Sequence, residues 1–372
     1  MRYAVTICLF AACLNAAAQE NSLSSRVDAI FQEYRSLDTP GCAVGIISNG
    51  EYIHMRGYGA ANLEHRIAIG PNSVFRIGSV SKQFTAAAIA ILATRGELDL
   101  DADIHSYLPE LRDFESTVTI RQMVHHISGM GNYDGGYYEI SDGKPFRFGN
   151  EDYWTIDEFY ARAIQQPLAL PPGERYEYSN IAYFLLGQVV ERVSGRTLRT
   201  YAEQEMFKPL GMDATFFNDN VDGIVRNRAD GYRPIDGGGF EIFMTNLDWV
   251  GDGGLYTTLN DFIKWDQAFL KKLPPIDAQV QSLMLHPHPT TVDTMDDGLL
   301  DEGGGYGFGL DVGEYQGRSV HMHGGSWVGF RAFYARFPDD DFSLILMCNR
   351  SDAQARGRYQ RLLDLVVAEL LK

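Results

Sequence analysis

Residues 84–92 of this chain read FTAAAIAIL, a run that shows no polar face at any helical angle. A helix lying on a surface keeps one polar side, so a helix apolar all round must be covered on every side. Whatever fold the chain adopts has to enclose this segment. Just upstream stand Ser79-Val80-Ser81-Lys82, two serines and a lysine in S-x-x-K spacing. The same spacing recurs at Ser141-Asp142-Gly143-Lys144, in a glycine-rich stretch that reads as loop, so spacing alone decides nothing. If the helix starts near Val80, Ser79 sits at its N-terminus with Lys82 one turn further on the same face. The helix end would then present partial positive charge and N–H groups beside the serine oxygen. A buried ammonium is costly, so the Lys82 pKa is expected to fall, and a neutral amine can take a serine proton. The plainer alternative is that Ser79 caps the helix and Lys82 extends to solvent.

Strand patterns lie at both ends of the chain and helical patterns between them. Helical spacing at Val27, Ile30, Phe31, Tyr34 and Leu37 ends at Pro40-Gly41, and CAVGIIS and EYIHMRGYG then flank Asn49-Gly50, a strong hairpin signal. Helices are predicted over 156–164, 182–193, 198–207 and 259–270, the last with Thr258 as N-cap and Asp261 at its third position. YGFGLDV, RSVHMH, GFRAFYARF and FSLILMC read as strands, and Leu362, Leu363, Val366, Val367 and Leu370 as a closing amphipathic helix. An isolated hairpin is marginal, so the N-terminal pair is expected to join the C-terminal strands in one sheet. The predicted class is α+β, of the α/β sandwich type: an antiparallel sheet built from both chain ends with flanking helices, plus a mostly helical insertion. That divides the chain into an α/β part over 19–98 and 300–372 and an insertion over 99–299.

The 372 residues carry a formal charge of −17 with no offsetting basic cluster, which disfavours a nucleic-acid partner. MRYAVTICLFAACLNAAAQE has the basic start, apolar run and small-residue end of a secretory leader, so residues 1–18 are expected to be removed and the chain exported, periplasmic or secreted. A lipoprotein reading of Phe10-Ala11-Ala12-Cys13 is the lesser alternative. No later run approaches the length needed to span a membrane, so no stable insertion is expected. Cys42 and Cys348 remain, each in a strand-like segment. Their plain reading is two buried thiols, with a disulfide permitted by export but not derivable from sequence.

Two more patterns bear on Ser79. Tyr178-Ser179-Asn180, the sole Y-x-N, precedes an apolar helix, and His323-Gly324-Gly325, the sole H-x-G, lies between strand patterns. Singly, Tyr178 reads as a core phenol and His323 as a strand end. Together, in this order, the three motifs resemble the serine hydrolases of the β-lactamase/penicillin-binding superfamily. They are closest to the family of class C β-lactamases, D-alanyl-D-alanine carboxypeptidases, D-aminopeptidases and related esterases. VHHISGM, GDGGLYTTLNDFIKW and YGFGLDV are similar to stretches that recur there, and the resemblance runs from about Ser25 to the C-terminus.

The resemblance implies that Ser79 is the acyl-forming nucleophile, Lys82 its proton acceptor and Tyr178 a second acid/base group. It implies that Asn180 bonds substrate near the reacting carbonyl, and that the amides of Ser79 and Ser326 form the oxyanion hole. The glycines of His323-Gly324-Gly325, Gly325 included, are expected to let substrate backbone approach the strand. Class C β-lactamases generally carry Lys-Thr-Gly at this triplet, and the His form occurs in D-aminopeptidases. A mostly neutral imidazole suits a substrate carboxylate less well than a lysine. The expected activity is therefore an exported, cofactor-independent hydrolase of D-amino-acid peptides of the peptidoglycan type. Small esters or β-lactam-like compounds are alternatives, as is a non-catalytic binding protein on the same fold. Oligomeric state is not legible.

Other chemistries lack their signatures. There is no G-x-S-x-G elbow, and His125-His126 lacks metal-site spacing and reads as hydrogen-bonding near a helix end. The glycine runs at 251–254 and 303–305 are not followed by Lys-Ser/Thr. Tyr133, Tyr137, Tyr138, Tyr153 and Trp154 fit either a substrate entrance or a packed loop.

Overall fold

A computed structural model describes residues 23–132, 153–293, 299–352 and 354–370. The leader-like segment 1–18, the second S-x-x-K at 141–144, and Tyr133, Tyr137 and Tyr138 lie outside the described residues.

The main sheet has seven antiparallel strands, numbered in chain order: β1 (Cys42–Ser48), β2 (Glu51–Tyr58), β3 (Gly305–Tyr306), β4 (Asp311–Tyr315), β5 (Arg318–Trp327), β6 (Phe330–Phe337) and β7 (Phe342–Cys348). Their spatial order is β3-β4-β5-β6-β7-β1-β2, so the first and last strands pair side by side. Asn49 and Gly50 turn the β1–β2 hairpin with φ of 52° and 77°, both left-handed as a tight hairpin of matching twist requires. The sheet therefore joins both ends of the chain, as the patterns predict. Between its halves run helices and, among the described residues, three small sheets of two or three strands, one of them pairing Phe75–Arg76, Leu255–Thr257 and Phe216–Phe217.

Period-two alternation sends the two sets of strand side chains into different layers. Val44, Ile46, Leu344 and Leu346 join Val27, Phe31, Leu362 and Val366 in one apolar cluster under the terminal helices, α1 (residues 23–30) and α5 (Gln354–Leu370). Ala43, Ile345 and Met347 face the opposite cluster, which contains helix α2 (Lys82–Thr94). Every residue of α2 from Lys82 to Leu92 is buried. It packs on α3 (Asn180–Ser194) and α4 (Leu259–Lys271), with Phe84 stacked 4.2 Å from Trp265 and Gln83 Oε1 accepting from Trp265 Nε1 at 2.7 Å. The all-apolar run is thus enclosed as its composition demands. Thr258 caps α4 through the amide of Asp261, as predicted. The helix expected over 198–207 is α-helical only for Leu198–Ala202 and continues as a π-turn over Glu203–Phe207. Among the described residues no helix is long and apolar enough to cross a membrane.

Two features correct or extend the sequence reading. Cys42 and Cys348 are a disulfide, not a pair of thiols, because the β1–β7 register sets them directly opposite one another. A buried charge also ties α4 to the sheet. Asp266 Oδ1 accepts from Tyr334 Oη at 2.7 Å, Arg336 Nη1 at 3.1 Å and Ser343 Oγ, with Asp266 and Arg336 both nearly excluded from solvent. Breaking such a pair from one side leaves an uncompensated cation in the interior. Asp266→Ala is therefore expected to lower unfolding free energy by about 3–5 kcal/mol in denaturant melts. A loss below about 1 kcal/mol would show that the sheet and helix hold together without it.

Candidate active site

The chain enters α2 through a single 3-10 turn, Gly78–Ser81, so Lys82 is the first α-helical residue and the helix does not begin at Val80. No side chain caps either turn, so Ser79 is not a helix cap. From Ser73 to Leu92 every residue is buried except Ser79, which is half-buried. Ser81 is wholly buried and its Oγ accepts from the Leu255 amide at 3.1 Å, an internal role that separates it from Ser79.

Lys82 is fully buried, and its Nζ gathers three distant segments. It lies 3.3 Å from Ser79 Oγ and donates to Asn180 Oδ1 at 2.6 Å and to the Asp252 carbonyl at 2.6 Å. Lys82 Nζ also lies over the Tyr178 ring, 4.8 Å from its centroid, and 5.5 Å from that of Tyr183. Asn180 is the first residue of α3, whose N-cap Ser179 accepts from the Ala182 amide. The Asn180 Nδ2 donates to Asn132 Oδ1 at 3.0 Å, so this amide spans Lys82 and the 130s segment.

The opposite wall is β5. His323 and Gly325 are buried while Gly324 and Ser326 are exposed, the alternation of a strand. A Cβ on Gly325 would sit 2.0 Å from the Ile77 carbonyl oxygen, and one on Gly78 (φ 53°) would sit 2.7 Å from the Ser326 amide nitrogen. No side chain fits at either position. The expectation that these glycines clear space for substrate is corrected at Gly325: its missing side chain admits the backbone that leads into the Ser79 turn. Only at Gly324 would a Cβ meet open space. The consequence is that the backbone before Ser79 and the Ser326 amide lie against each other.

His323 is held by both ring nitrogens. Nδ1 lies 2.6 Å from the Gly324 carbonyl oxygen, which can only accept, so Nδ1 carries the hydrogen. Nε2 then accepts from Tyr306 Oη at 3.0 Å, a phenol whose burial keeps it protonated. Burial, with the Lys82 charge beside it, pushes this imidazole down to about 4. His125 donates Nδ1–H to the Tyr306 carbonyl at 2.8 Å and is likewise pushed down to about 4 by burial. His126 accepts from the Ser179 amide at Nδ1 (3.1 Å), and burial lowers it well below the usual range. Both histidines do hydrogen-bond at the end of a helix, as their position suggested, but the partners belong to the candidate site.

The sequence reading assigned no role to several residues the structure brings here. Tyr306 and Tyr183 are unmarked in a tyrosine-rich chain. Arg76 is buried with its guanidinium 5.0 Å from the Trp327 ring, and Asp252 contributes a backbone carbonyl, which no side-chain motif can announce. Tyr153 Oη donates to Asp248 at 2.6 Å, and Trp154 lies under Arg162 at 4.2 Å.

The family model described as Beta-lactamase matches residues 27–369. A D-aminopeptidase of Gluconobacter oxydans is 29% identical over 340 residues, covering 90% of this chain and 60% of that protein. The chain thus spans about three fifths of that curated relative's length. Among solved structures, a penicillin binding protein from Bacillus halodurans superposes with a TM-score of 0.75 at 25% identity, covering 92% of this chain and 99% of that one. An octameric penicillin-binding protein homologue from Pyrococcus abyssi gives 0.74 at 26% identity, covering 88% and 73%.

The buried histidines set an acid limit on stability. The unfolded chain protonates them near 6.5, whereas folded His125 and His323 resist until about 4. Their contribution is complete above pH 6.5 and is lost as pH falls from 6.5 toward 4, at up to about 1.4 kcal/mol per pH unit for each histidine. Urea melts across that window are expected to show this slope, and flat stability would mean that the rings are charged in the folded protein.

Proposed function

The chain belongs to the β-lactamase family of hydrolases, and from that membership we propose that it cleaves amides of D-amino acids through an acyl-enzyme on Ser79. The observation that carries the reading is the Lys82 amine, buried and directed by two carbonyl oxygens beside the one half-exposed serine of an otherwise buried segment. A neutral amine has two N–H bonds and one lone pair. Asn180 Oδ1 and Asp252 O accept N–H bonds of this amine, and its lone pair can receive the Ser79 proton from 3.3 Å away.

Ser79 Oγ then attacks the carbonyl carbon, and charge gathers on the carbonyl oxygen. The amides of Ser79 and of Ser326, which packs against Gly78, are the donors suited to that oxygen. Tyr178 Oη gives its proton to the departing amine and is reprotonated by Lys82; water then attacks the ester on Ser79, one of its protons returning through Lys82 to the Ser79 oxygen as the acid is released. Asn180 orients Lys82 in this scheme and borders the reacting carbonyl.

The substrate class follows from His323. Its ring is neutral, and both nitrogens are committed to Tyr306 and Gly324. It offers a C-terminal carboxylate neither charge nor a spare donor, which favours an amide or aminopeptidase substrate over a carboxypeptidase or β-lactam one. The D-aminopeptidase relative supports the same class. We extend the reading to an exported protein, supported by the leader-like N-terminus and by a disulfide of the kind that persists in oxidising compartments.

A panel of D-alanine amides, D-alanyl peptides, p-nitrophenyl esters and a chromogenic cephalosporin tests this. D-amide turnover is expected, falling by about 10⁶-fold in Ser79→Ala, with a fluorophosphonate adduct on Ser79 in the unaltered protein. Absence of both adduct and turnover would overturn the reading. His323→Lys is expected to lower KM about tenfold for substrates ending in a carboxylate, and an unchanged KM would remove the electrostatic basis for the substrate class.

A further inference from the structure

We infer that His126 is the positioning residue for the Tyr178 phenol, an assignment that rests on reading Tyr178 as the acid that protonates the leaving amine. His126 holds the chain on both sides of Tyr178. Its carbonyl accepts from the Glu177 amide at 2.7 Å, and its Nδ1 accepts from the Ser179 amide at 3.1 Å. The two rings lie against each other with centroids 4.3 Å apart. One residue thus fixes the backbone before the tyrosine, the backbone after it, and the ring itself.

The reach is made possible by backbone conformation. His126 follows the short helix Ile120–Val124 with φ of 57°, a left-handed conformation that turns the chain and aims the ring back across at 177–179. Non-glycine residues adopt this region at a cost, and its use at a fully buried histidine is explained by the two bonds it completes.

The clamp works only with Nδ1 unprotonated, because an imidazolium would turn an N–H against the Ser179 N–H. The surroundings enforce that state. Burial opposes a positive charge on the ring, and the aromatic neighbours are Tyr176, Tyr178, Tyr183 and Tyr306. Nε2 therefore carries the hydrogen.

Asn180 and Lys82 do not depend on that bond. Ser179, the N-cap of α3, accepts from the Ala182 amide and donates to the Gly131 carbonyl through its side chain, so the start of α3, and with it Asn180 Oδ1 on Lys82, is held apart from His126.

Leaving-group dependence separates this role from a purely structural one. An alkyl amine needs a proton to depart, whereas p-nitrophenolate leaves unaided, so loss of a positioned acid harms the amide selectively. The variants are His126→Phe, which keeps ring volume without an acceptor, and His126→Asn, which keeps an acceptor and tolerates the backbone. They are compared with Tyr178→Phe on a D-alanine alkylamide and a D-alanine p-nitrophenyl ester. His126→Phe is expected to lower kcat for the amide by about 10²-fold with KM within about threefold, and for the ester by less than about fivefold. His126→Asn is expected to recover most of the amide rate.

Equal losses on both substrates, a loss confined to KM, or no loss would overturn the inference. If Tyr178→Phe itself shows no selective loss on the amide, the reading of Tyr178 as the acid is what fails, and the inference falls with it. Nitrogen NMR of isotope-labelled histidine in the unaltered protein needs no variant to fold. A His126 ring protonated at Nε2 alone from pH 5 to 8 supports the clamp; one protonated at Nδ1 overturns it.

Discussion

The site depends on one buried amine. Lys82 Nζ meets the Ser79 hydroxyl, the Asn180 amide and the Asp252 carbonyl, groups from three segments that are far apart in sequence. A lysine that has lost its water must have its hydrogens directed elsewhere, so each acceptor is a structural requirement before it is a chemical one. The surrounding architecture supplies them: the 3-10 turn brings the serine, the capped start of α3 brings the asparagine, and the glycine-rich loop brings the carbonyl. The enclosing apolar helix keeps the amine dry. In that sense the core and the reaction centre are one construction, and a change that hydrates α2 alters the basicity of Lys82 before it alters the fold.

Much of this was legible beforehand. The hairpin at Asn49-Gly50 and the capped helix after Thr258 follow from periodicity and turn chemistry, which are local properties, and the joining of both chain ends in one sheet follows from the marginal stability of a lone hairpin. Ser79 could be distinguished from Ser81 only by its spacing to Lys82 and by the later motifs, and the structure separates them by burial and by the Leu255 amide. What stayed hidden depends on pairings between remote segments. The partner of Cys42 depends on strand register, the role of Gly325 on which backbone lies behind it, and the acceptor at Asp252 on a carbonyl every residue possesses. For His126 the sequence points to hydrogen bonding near a helix end but not to the partner, because the Ser179 amide leaves no trace in a pattern of side chains.

The two walls of the site differ in electrical character. One holds Lys82, with Arg76 buried close by; the other presents histidines that burial keeps neutral. Lys82 Nζ lies beside the Ser79 hydroxyl, and the His323 ring on β5 carries no charge at neutral pH.

The pairing of β1 with β7 has a consequence for biosynthesis. Cys42 and Cys348 are 306 residues apart, yet their strands are adjacent. At ordinary translation speeds of about 5–20 residues per second, the hairpin of β1 and β2 waits roughly 15–60 s for its neighbour to be made. Throughout that interval β1 offers an unpaired apolar edge, a ready template for another chain. Sheets closed by such distant contacts also form slowly once complete. The same closure that encloses α2 thus makes the newborn chain dependent on whatever holds it apart from its neighbours until its last strand arrives.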